Sequence, residues 1–374
     1  MRIGIDASGT YGWRGPSRNI SNIIKTLVEI DQVNQYYLFS IKEPEIVLPP
    51  KGNYHWMKIP KRRFVPWLNV SLPLAALRNR IDVFLFPQAN FWLWKPIKTV
   101  VLTRAATIEP WRDNIYDRIS TNIRKARFSK IPDRIGCVSH YNATLIHYVF
   151  NVPLEKMEVI NNGVDPAFLD HDVKPFDGYG EYILYTGGTE PRKNVKRLVA
   201  AYAMACKNDV SASLVMVGGR FTQNEPDMRA LLDTKEAKHV KNRIILHGIE
   251  KDSKKLASLY RGARLVVYPS IQEDFGMVSV EAMASCVPLV ASNASSIPEI
   301  AGDAALYFDP YDPEDMSRKI IAGLSDEKLR SMLVARGRER VKKYSWEDAA
   351  KLIIEMIYRT ATKRGKTTEH PAIP

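Results

Sequence analysis

Short apolar runs recur along this chain, each followed by a polar or glycine-rich loop and then a helical pattern. That alternation restricts its fold more than any other feature. Ile3-Gly4-Ile5 runs into Gly9, Gly12 and Gly15 and then into a helical pattern from about Ser17 to Glu29. Tyr36–Ser40, Val83–Phe86, Thr99–Leu102 and Ile135–Val138 read as further strands, each with a loop or helical stretch behind it. The series restarts at Tyr182–Tyr185, with Leu214–Val217, Ile244–Leu246, Leu265–Tyr268 and Leu289–Ala291 as its strands. Strands that alternate with helices predict parallel α/β units. The polar stretch Asp170–Glu181, with Pro175, Gly178 and Gly180, reads as a linker between the two series. The expected architecture is α/β: two doubly wound, Rossmann-like domains in tandem with a ligand cleft between them.

At 374 residues the chain is long for one domain and suits two. No run approaches the roughly 18 apolar residues that span a bilayer. The start, MRIGIDASG, reads as a strand rather than a signal peptide, because its apolar part is short and a charge follows at once. Cys137, Cys206 and Cys286 are scattered and odd in number, which predicts reduced, buried thiols in a cytoplasmic protein. No Cys or His spacing suggests a metal site. Of the histidines, His140, His147 and His247 read as structural. Ser139 lacks the glycine-flanked elbow of a hydrolase nucleophile.

The net charge of +13 is unevenly placed. Between Lys58 and Arg134 stand 16 Lys or Arg against 5 Asp or Glu, with Trp56, Trp67, Trp92 and Trp94 in or beside that window. An ordinary solvated face is one reading. Contact with an anionic surface, such as membrane headgroups or a lipid-linked pyrophosphate, is the other. No recognised nucleic-acid motif accompanies the charge.

Three stretches carry candidate chemistry. In Glu273–Pro288, Glu273 falls on the loop after the strand Leu265–Tyr268, and Glu281 falls about a turn inside the next helix. Seven residues separate the two carboxylates, with Phe275-Gly276 in the gap. A helix start at a strand's carboxyl end offers free N–H groups to an anion, and the carboxylates suit hydroxyl groups of the same ligand. In Gly187–Asn194, Gly187 and Gly188 allow close backbone approach, while Arg192 and Lys193 supply two cations of the kind a diphosphate needs. A solvated Arg-Lys pair is the alternative. In Ser8–Arg18, three glycines form either an anion cradle or a flexible turn, but neither a Walker loop nor a dinucleotide fingerprint.

Together these residues resemble the retaining family-4 glycosyltransferases, over nearly the whole chain. The resemblance is strongest from Pro269 to Asp309, where PS..EDFG....EAMA...PLVAS....PEIAGDAALYFDP follows the family pattern. Asn161-Asn162-Gly163-Val164-Asp165 and Glu190-Pro191-Arg192-Lys193-Asn194 are similar to two of its turns. The resemblance implies a GT-B fold: two Rossmann-like doubly wound domains facing across a cleft. Residues 1–170 would bind the acceptor and 171–345 the nucleotide sugar. Residues 346–374 would form a helix crossing back to the first domain, with a flexible tail.

It also implies site roles. Glu273 would bind the donor sugar and Glu281 the ribose, with Arg192 and Lys193 on the departing diphosphate and Gly187 and Gly188 in that loop. The backbone of Phe275 and Gly276 would lie near the sugar and phosphate. Gly15 and Ser17 would face the diphosphate from the other domain, and Gly248 would flank the base. No metal or cofactor is implied.

The chain departs from the family in several places. Thr103-Arg104-Ala105-Ala106-Thr107 replaces the usual His-Asp, with Arg104 near the place of the missing histidine. Ser17 and Cys286 stand where glycines are usual, and Val278 where a proline is common. The expected function is transfer of a hexose, with mannose from GDP-mannose first, to a lipid-linked or polysaccharide acceptor, as in lipopolysaccharide assembly. This places the protein in the cytoplasm, peripheral on the inner membrane face. The competing readings are a non-catalytic sugar-nucleotide-binding partner in a glycan-assembly complex and a sugar-nucleotide epimerase of the same fold.

Overall fold

A computed structural model describes residues 1–11, 15–43, 46–50, 52–60, 67–103, 126–219, 221–222, 225–235 and 237–362. Arg104 and the tail from Lys363, both singled out in the sequence, lie outside the described residues. The chain divides into two compact units. One comprises Met1–Gly163 and the segment from Ser345 onward; the other is Val164–Tyr344.

Among the described residues the first unit holds seven parallel strands: β1 Arg2–Asp6, β2 Gln35–Ser40, β3 Tyr54–Lys58, β4 Val83–Phe86, β5 Lys98–Thr103, β6 Arg134–Cys137 and β7 Met157–Val159. Their order is β3-β2-β1-β4-β5-β6-β7. Successive side chains on a strand point to opposite faces. Accordingly Val83 and Leu85 of β4 join one core cluster, and Phe84 and Phe86 join the other. The first face is covered by the helices Gly15–Ile30 and Trp346–Thr362. The latter buries Trp346, Ala349, Ala350, Ile353, Ile354 and Ile357, a stripe at helical spacing. Its fit depends on Gly163, where a Cβ would stand 2.3 Å from the Trp346 nitrogen.

The described residues of the second unit hold six parallel strands: β8 Tyr182–Thr186, β9 Ser213–Val217, β10 Ile244–Gly248, β11 Leu265–Tyr268, β12 Leu289–Ser292 and β13 Ala305–Phe308. Their order is β10-β9-β8-β11-β12-β13. In both sheets the strand order reverses once, at β1/β4 and at β8/β11, and ligand crevices of doubly wound sheets open there. The Asp170–Glu181 stretch, expected as a linker, is tied into this unit. Arg261 donates to the Val173 and Phe168 carbonyls at 2.6 and 3.0 Å, and the Phe176 N–H donates to the Ser258 carbonyl at 3.0 Å.

Three strands escape the sequence reading: β3, β7 and β13. All three are edge strands. The residues of β7 are half-buried throughout, and β3 and β13 are also only partly buried, so their composition carries a weak signal. A second departure is Cys286, which is exposed rather than buried.

Two residues store free energy in this frame. Cys286 holds φ at 59° just past the helix Met277–Ala284, a left-handed position that glycine takes without strain. Cys286→Gly is expected to raise stability by about 0.5–1 kcal/mol in urea unfolding. Asp6, buried at the end of β1, accepts from the Ser8 N–H at 2.9 Å. Burial raises its pKa from 3.8 to about 6, against the lowering effect of the Ser8 hydrogen bonds. The folded state therefore holds the proton longer than the unfolded chain, and stability falls as pH rises from about 4 to about 6. Asp6→Asn keeps the acceptor without the charge. It is expected to be more stable than the parent at pH 8, by at most about 2–3 kcal/mol. The advantage should vanish below about pH 4, which unfolding curves at both pH values will test.

Candidate functional site

The reversal at β8/β11 brings two distant loops together. Past β8 the chain makes the turn Gly187–Asn194, and past β11 it makes the loop Pro269–Gly276. Three hydrogen bonds lock the loops to each other. The Ile271 N–H donates to the Arg192 carbonyl at 2.8 Å, the Asn194 amide to the Pro269 carbonyl at 3.1 Å, and the Arg192 guanidinium to the Gln272 carbonyl at 3.3 Å. Asn194 also reaches the Pro310 carbonyl at 2.6 Å. It adopts a left-handed conformation, φ 60°, that ends the short turn Pro191–Lys193 and starts the helix Val195–Lys207.

This frame delivers both cations to one carboxylate. Lys193 Nζ lies 2.5 Å from Glu273 Oε1, and Arg192 Nη1 lies 3.3 Å from Glu273 Oε2. The Glu273 side chain is 12% exposed, and the Lys193 and Arg192 side chains are 13% and 25% exposed, so solvent screens these charges little. Ser295 and Ser296 fix the Glu273 backbone: its N–H donates to Ser295 Oγ at 3.0 Å and its carbonyl accepts from Ser296 Oγ at 2.9 Å. Burial opposes ionisation of Glu273, but the charges of Lys193 and Arg192 and the Lys193 hydrogen bond outweigh it and hold the carboxyl below its ordinary pKa. The Tyr268 ring lies beneath, 5.9 Å from Lys193 Nζ. Burial first, then the Glu273 charge, pushes its phenol well above the usual range.

Glu281 lies in the helix Met277–Ala284 and is 7% exposed. Its Oε2 accepts from the Tyr260 hydroxyl at 2.7 Å. That hydroxyl lies 2.6 Å from Thr186 Oγ1. With the single phenolic proton given to Glu281, Thr186 is the donor in the second bond. Gly276 caps the helix start at φ 99°, a conformation that favours glycine. Phe275 is buried edge-on against Tyr344, 5.6 Å between ring centroids, so its side chain anchors the loop.

The remaining sequence candidates fall as follows. The Gly187 N–H donates to the Val217 carbonyl at 3.0 Å, and Gly188's carbonyl accepts from the Tyr185 hydroxyl at 2.8 Å. Gly248, at the end of β10, accepts from the Gly218 N–H at 2.7 Å. A Cβ on Gly218 would stand 1.7 Å from the Gly187 carbonyl oxygen, so three glycines stitch the ends of β8, β9 and β10 together. Gly15 begins the helix Gly15–Ile30 of the first unit, and Ser17 Oγ donates to the Tyr11 carbonyl at 3.0 Å. His147 and His247 hydrogen-bond with the Val152 carbonyl and the Tyr179 hydroxyl, each at 2.8 Å.

Sequence reasoning missed Tyr260, Ser295 and Ser296. No local signal in the sequence marks any of them. Among the described residues, no group of three His, Cys, Asp or Glu could hold a metal ion, and no helix is long and apolar enough to cross a membrane.

Two family patterns match the chain: Glycosyl transferases group 1 over residues 168–340, and Glycosyltransferase Family 4 over residues 35–168. The O-antigen chain mannosyltransferase B of Escherichia coli is 37% identical over 168 residues, 45% of this chain and 43% of that protein. The serotype-specific mannosyltransferase WbdA of Escherichia coli is 32% identical over 179 residues, 48% of this chain and 22% of that protein. The matched segments thus span less than half the length of either relative. The structure of a sucrose-phosphate synthase from Thermosynechococcus elongatus superposes with a TM-score of 0.75 at 19% identity, covering 98% of this chain and 100% of that one. Fold and patterns together define a chain of GT-B architecture, two parallel-sheet Rossmann-like domains. It is related to the glycosyltransferases of group 1 and family 4.

The ion cluster makes stability depend on pH. The folded pKa of Glu273 lies below its ordinary 4.5, so the cluster's contribution is complete above about pH 4.5 and is lost as pH falls through the folded value. Glu273→Gln is expected to cost about 2 kcal/mol at pH 7, because Arg192 and Lys193 lose their partner. It should also flatten the fall in stability below pH 4.5, measured by thermal unfolding across pH.

Proposed function

We propose that this protein is a retaining glycosyltransferase that moves a hexose, mannose from GDP-mannose by first choice, onto a lipid-linked or polysaccharide acceptor. The observation that carries the reading is a carboxylate clamped by two cations, Lys193 and Arg192, at the switch point of the second sheet. The choice of mannose and of a polysaccharide acceptor is supported by the names of the two mannosyltransferase relatives.

The roles follow from the chemistry of the groups. A diphosphate arriving at Arg192 and Lys193 displaces Glu273 from them, and the released carboxylate takes hydrogen bonds from the donor's sugar hydroxyls. The N–H groups of Phe275, Gly276 and Met277, at the start of the helix Met277–Ala284, approach the sugar and phosphate. Glu281 takes the ribose hydroxyls, oriented by Tyr260. As the bond between the anomeric carbon and the phosphate oxygen breaks, the two cations stabilise the developing diphosphate charge without a metal. The acceptor hydroxyl bonds to the anomeric carbon on the same face, and its proton passes to the leaving phosphate oxygen. The first unit holds the acceptor, and Gly248 borders the base. The enzyme works in the cytoplasm, peripheral on the inner membrane face.

Hydrolysis or transfer from a panel of GDP-, UDP- and dTDP-sugars tests the reading, with and without membrane extract. Glu273→Ala is expected to slow turnover by about 100-fold or more. Activity within about threefold of the parent would overturn the assignment of Glu273. A nucleoside diphosphate at about 100 times its Kd should stabilise the fold by about 2.7 kcal/mol. Ligand stabilisation without turnover of any donor would instead favour a non-catalytic sugar-nucleotide-binding partner, the reading that the missing histidine near Arg104 supports.

A further inference from the structure

Among the exposed large apolar side chains of the first unit, one group lies on a single helical stretch and the loop bound to it, while others such as Val47 and Tyr148 stand apart. Val70, Leu74 and Leu77 are 53%, 44% and 46% exposed, and Leu93 and Trp94 are 38% and 44% exposed. The first three lie on the continuous helical stretch Trp67–Arg78 at spacings of four and three, so they share one face. Trp67, Leu68, Leu72, Pro73 and Ala76 are buried on the other. The loop bearing Leu93 and Trp94 is bound to the same stretch. The Leu93 N–H donates to Asn69 Oδ1 at 2.6 Å, and the Trp94 indole N–H donates to the Asn69 carbonyl at 2.8 Å.

Pro73 explains the second bond. It lacks the N–H that would reach back to Asn69 in an α-helix, and the indole donates to that carbonyl. The indole donor is thus satisfied inside the protein. Its half-exposed ring can enter an apolar phase without carrying a bare polar group with it.

We propose that this surface docks on an anionic lipid bilayer, with Trp94 and the Val70–Leu74–Leu77 stripe entering the headgroup–acyl boundary. The charge around it selects that occupant. Arg78 and Arg80 follow the stripe directly, and the Arg127 guanidinium donates to the Leu93 carbonyl. The nearby acids are already engaged: Asp133 by Lys95 at 2.6 Å and by the Thr99 N–H at 2.8 Å, and Asp82 by the Arg2 N–H at 2.8 Å. Apolar side chains ringed by cations suit an interfacial membrane site. A second copy of the same cationic patch would be repelled. Of the four tryptophans that marked this region in the sequence, Trp67 and Trp92 are buried and Trp56 packs, partly buried, against a core. The docking role therefore falls to Trp94 and to leucines that composition did not single out.

The test uses the full-length protein and needs neither donor nor acceptor, so it stands apart from the glycosyl-transfer reading. Co-sedimentation is measured with phosphatidylcholine vesicles with and without phosphatidylglycerol. Binding is expected only with phosphatidylglycerol and should weaken as salt rises from about 0.1 to about 0.5 M. The combined variant Leu74→Ser, Leu77→Ser, which leaves the Trp94–Asn69 hydrogen bond intact, should keep its thermal midpoint and should bind at least about tenfold more weakly. Brominated acyl chains should quench the fluorescence of the parent and not that of the conservative Trp94→Phe variant. Equal recovery on both vesicle types, unchanged binding by the combined variant, or quenching that persists in Trp94→Phe would each overturn the proposal. So would a concentration-dependent dimer dissolved by the same substitutions, which would assign the face to a second copy. An oligonucleotide that displaces the protein from vesicles would assign the face to nucleic acid.

Discussion

Glu273 meets Lys193 and Arg192 because β8 and β11 lie side by side, although about 80 residues separate the paired groups in the chain. The candidate site rests on that one pairing. It sets the turn after β8 against the loop after β11, and hydrogen bonds from the Ile271 backbone N–H and the Asn194 side-chain amide then hold the two loops in register. Without the pairing, Arg192 and Lys193 would be two solvated cations and Glu273 an ordinary loop carboxylate. With it, three charges are taken partly out of water. Each is tolerable only in the presence of the others, since removing one partner strands a buried charge. This mutual dependence suits a site whose ligand replaces one member: a diphosphate can take the cations only by releasing the carboxylate.

The neighbouring groups divide into those that hold charge and those that hold shape. Ser295 and Ser296 bind the Glu273 main chain and leave its carboxylate to the cations. Tyr260 and Thr186 line up behind Glu281 and restrict its orientation. Gly187, Gly218 and Gly248 let three strand ends converge, and at Gly218 a side chain would collide with the Gly187 carbonyl. Phe275 and Tyr344 pack edge to face and set the start of the helix that carries Glu281. Small residues, hydroxyls and one aromatic pair thus give precision to a site whose affinity rests on charge.

The first unit shows the same economy applied to burial. Both faces of its sheet are covered, and the alternation of β4 between Val83/Leu85 and Phe84/Phe86 feeds two separate cores. The helix from Trp346 supplies much of one of them, although its residues come last in the chain. The exposed apolar side chains around Trp94 stand outside both cores. Folding alone offers no reason to leave them in water, which makes them informative.

The strand–helix alternation and the central strands were legible in the sequence, because buried parallel strands are continuous apolar runs and their helices carry a clear period. The edge strands β3, β7 and β13 were not, because half-exposed strands need partners more than composition. At the site, Glu273, Glu281, Arg192 and Lys193 could be chosen from the sequence, since their charge and spacing are local properties. What only the tertiary structure decided is how they are joined. Both cations share Glu273, while Tyr260, drawn from a different helix, attends Glu281. Those contacts depend on which strands are neighbours, and strand order is set by packing across the whole sheet rather than by any short stretch of residues.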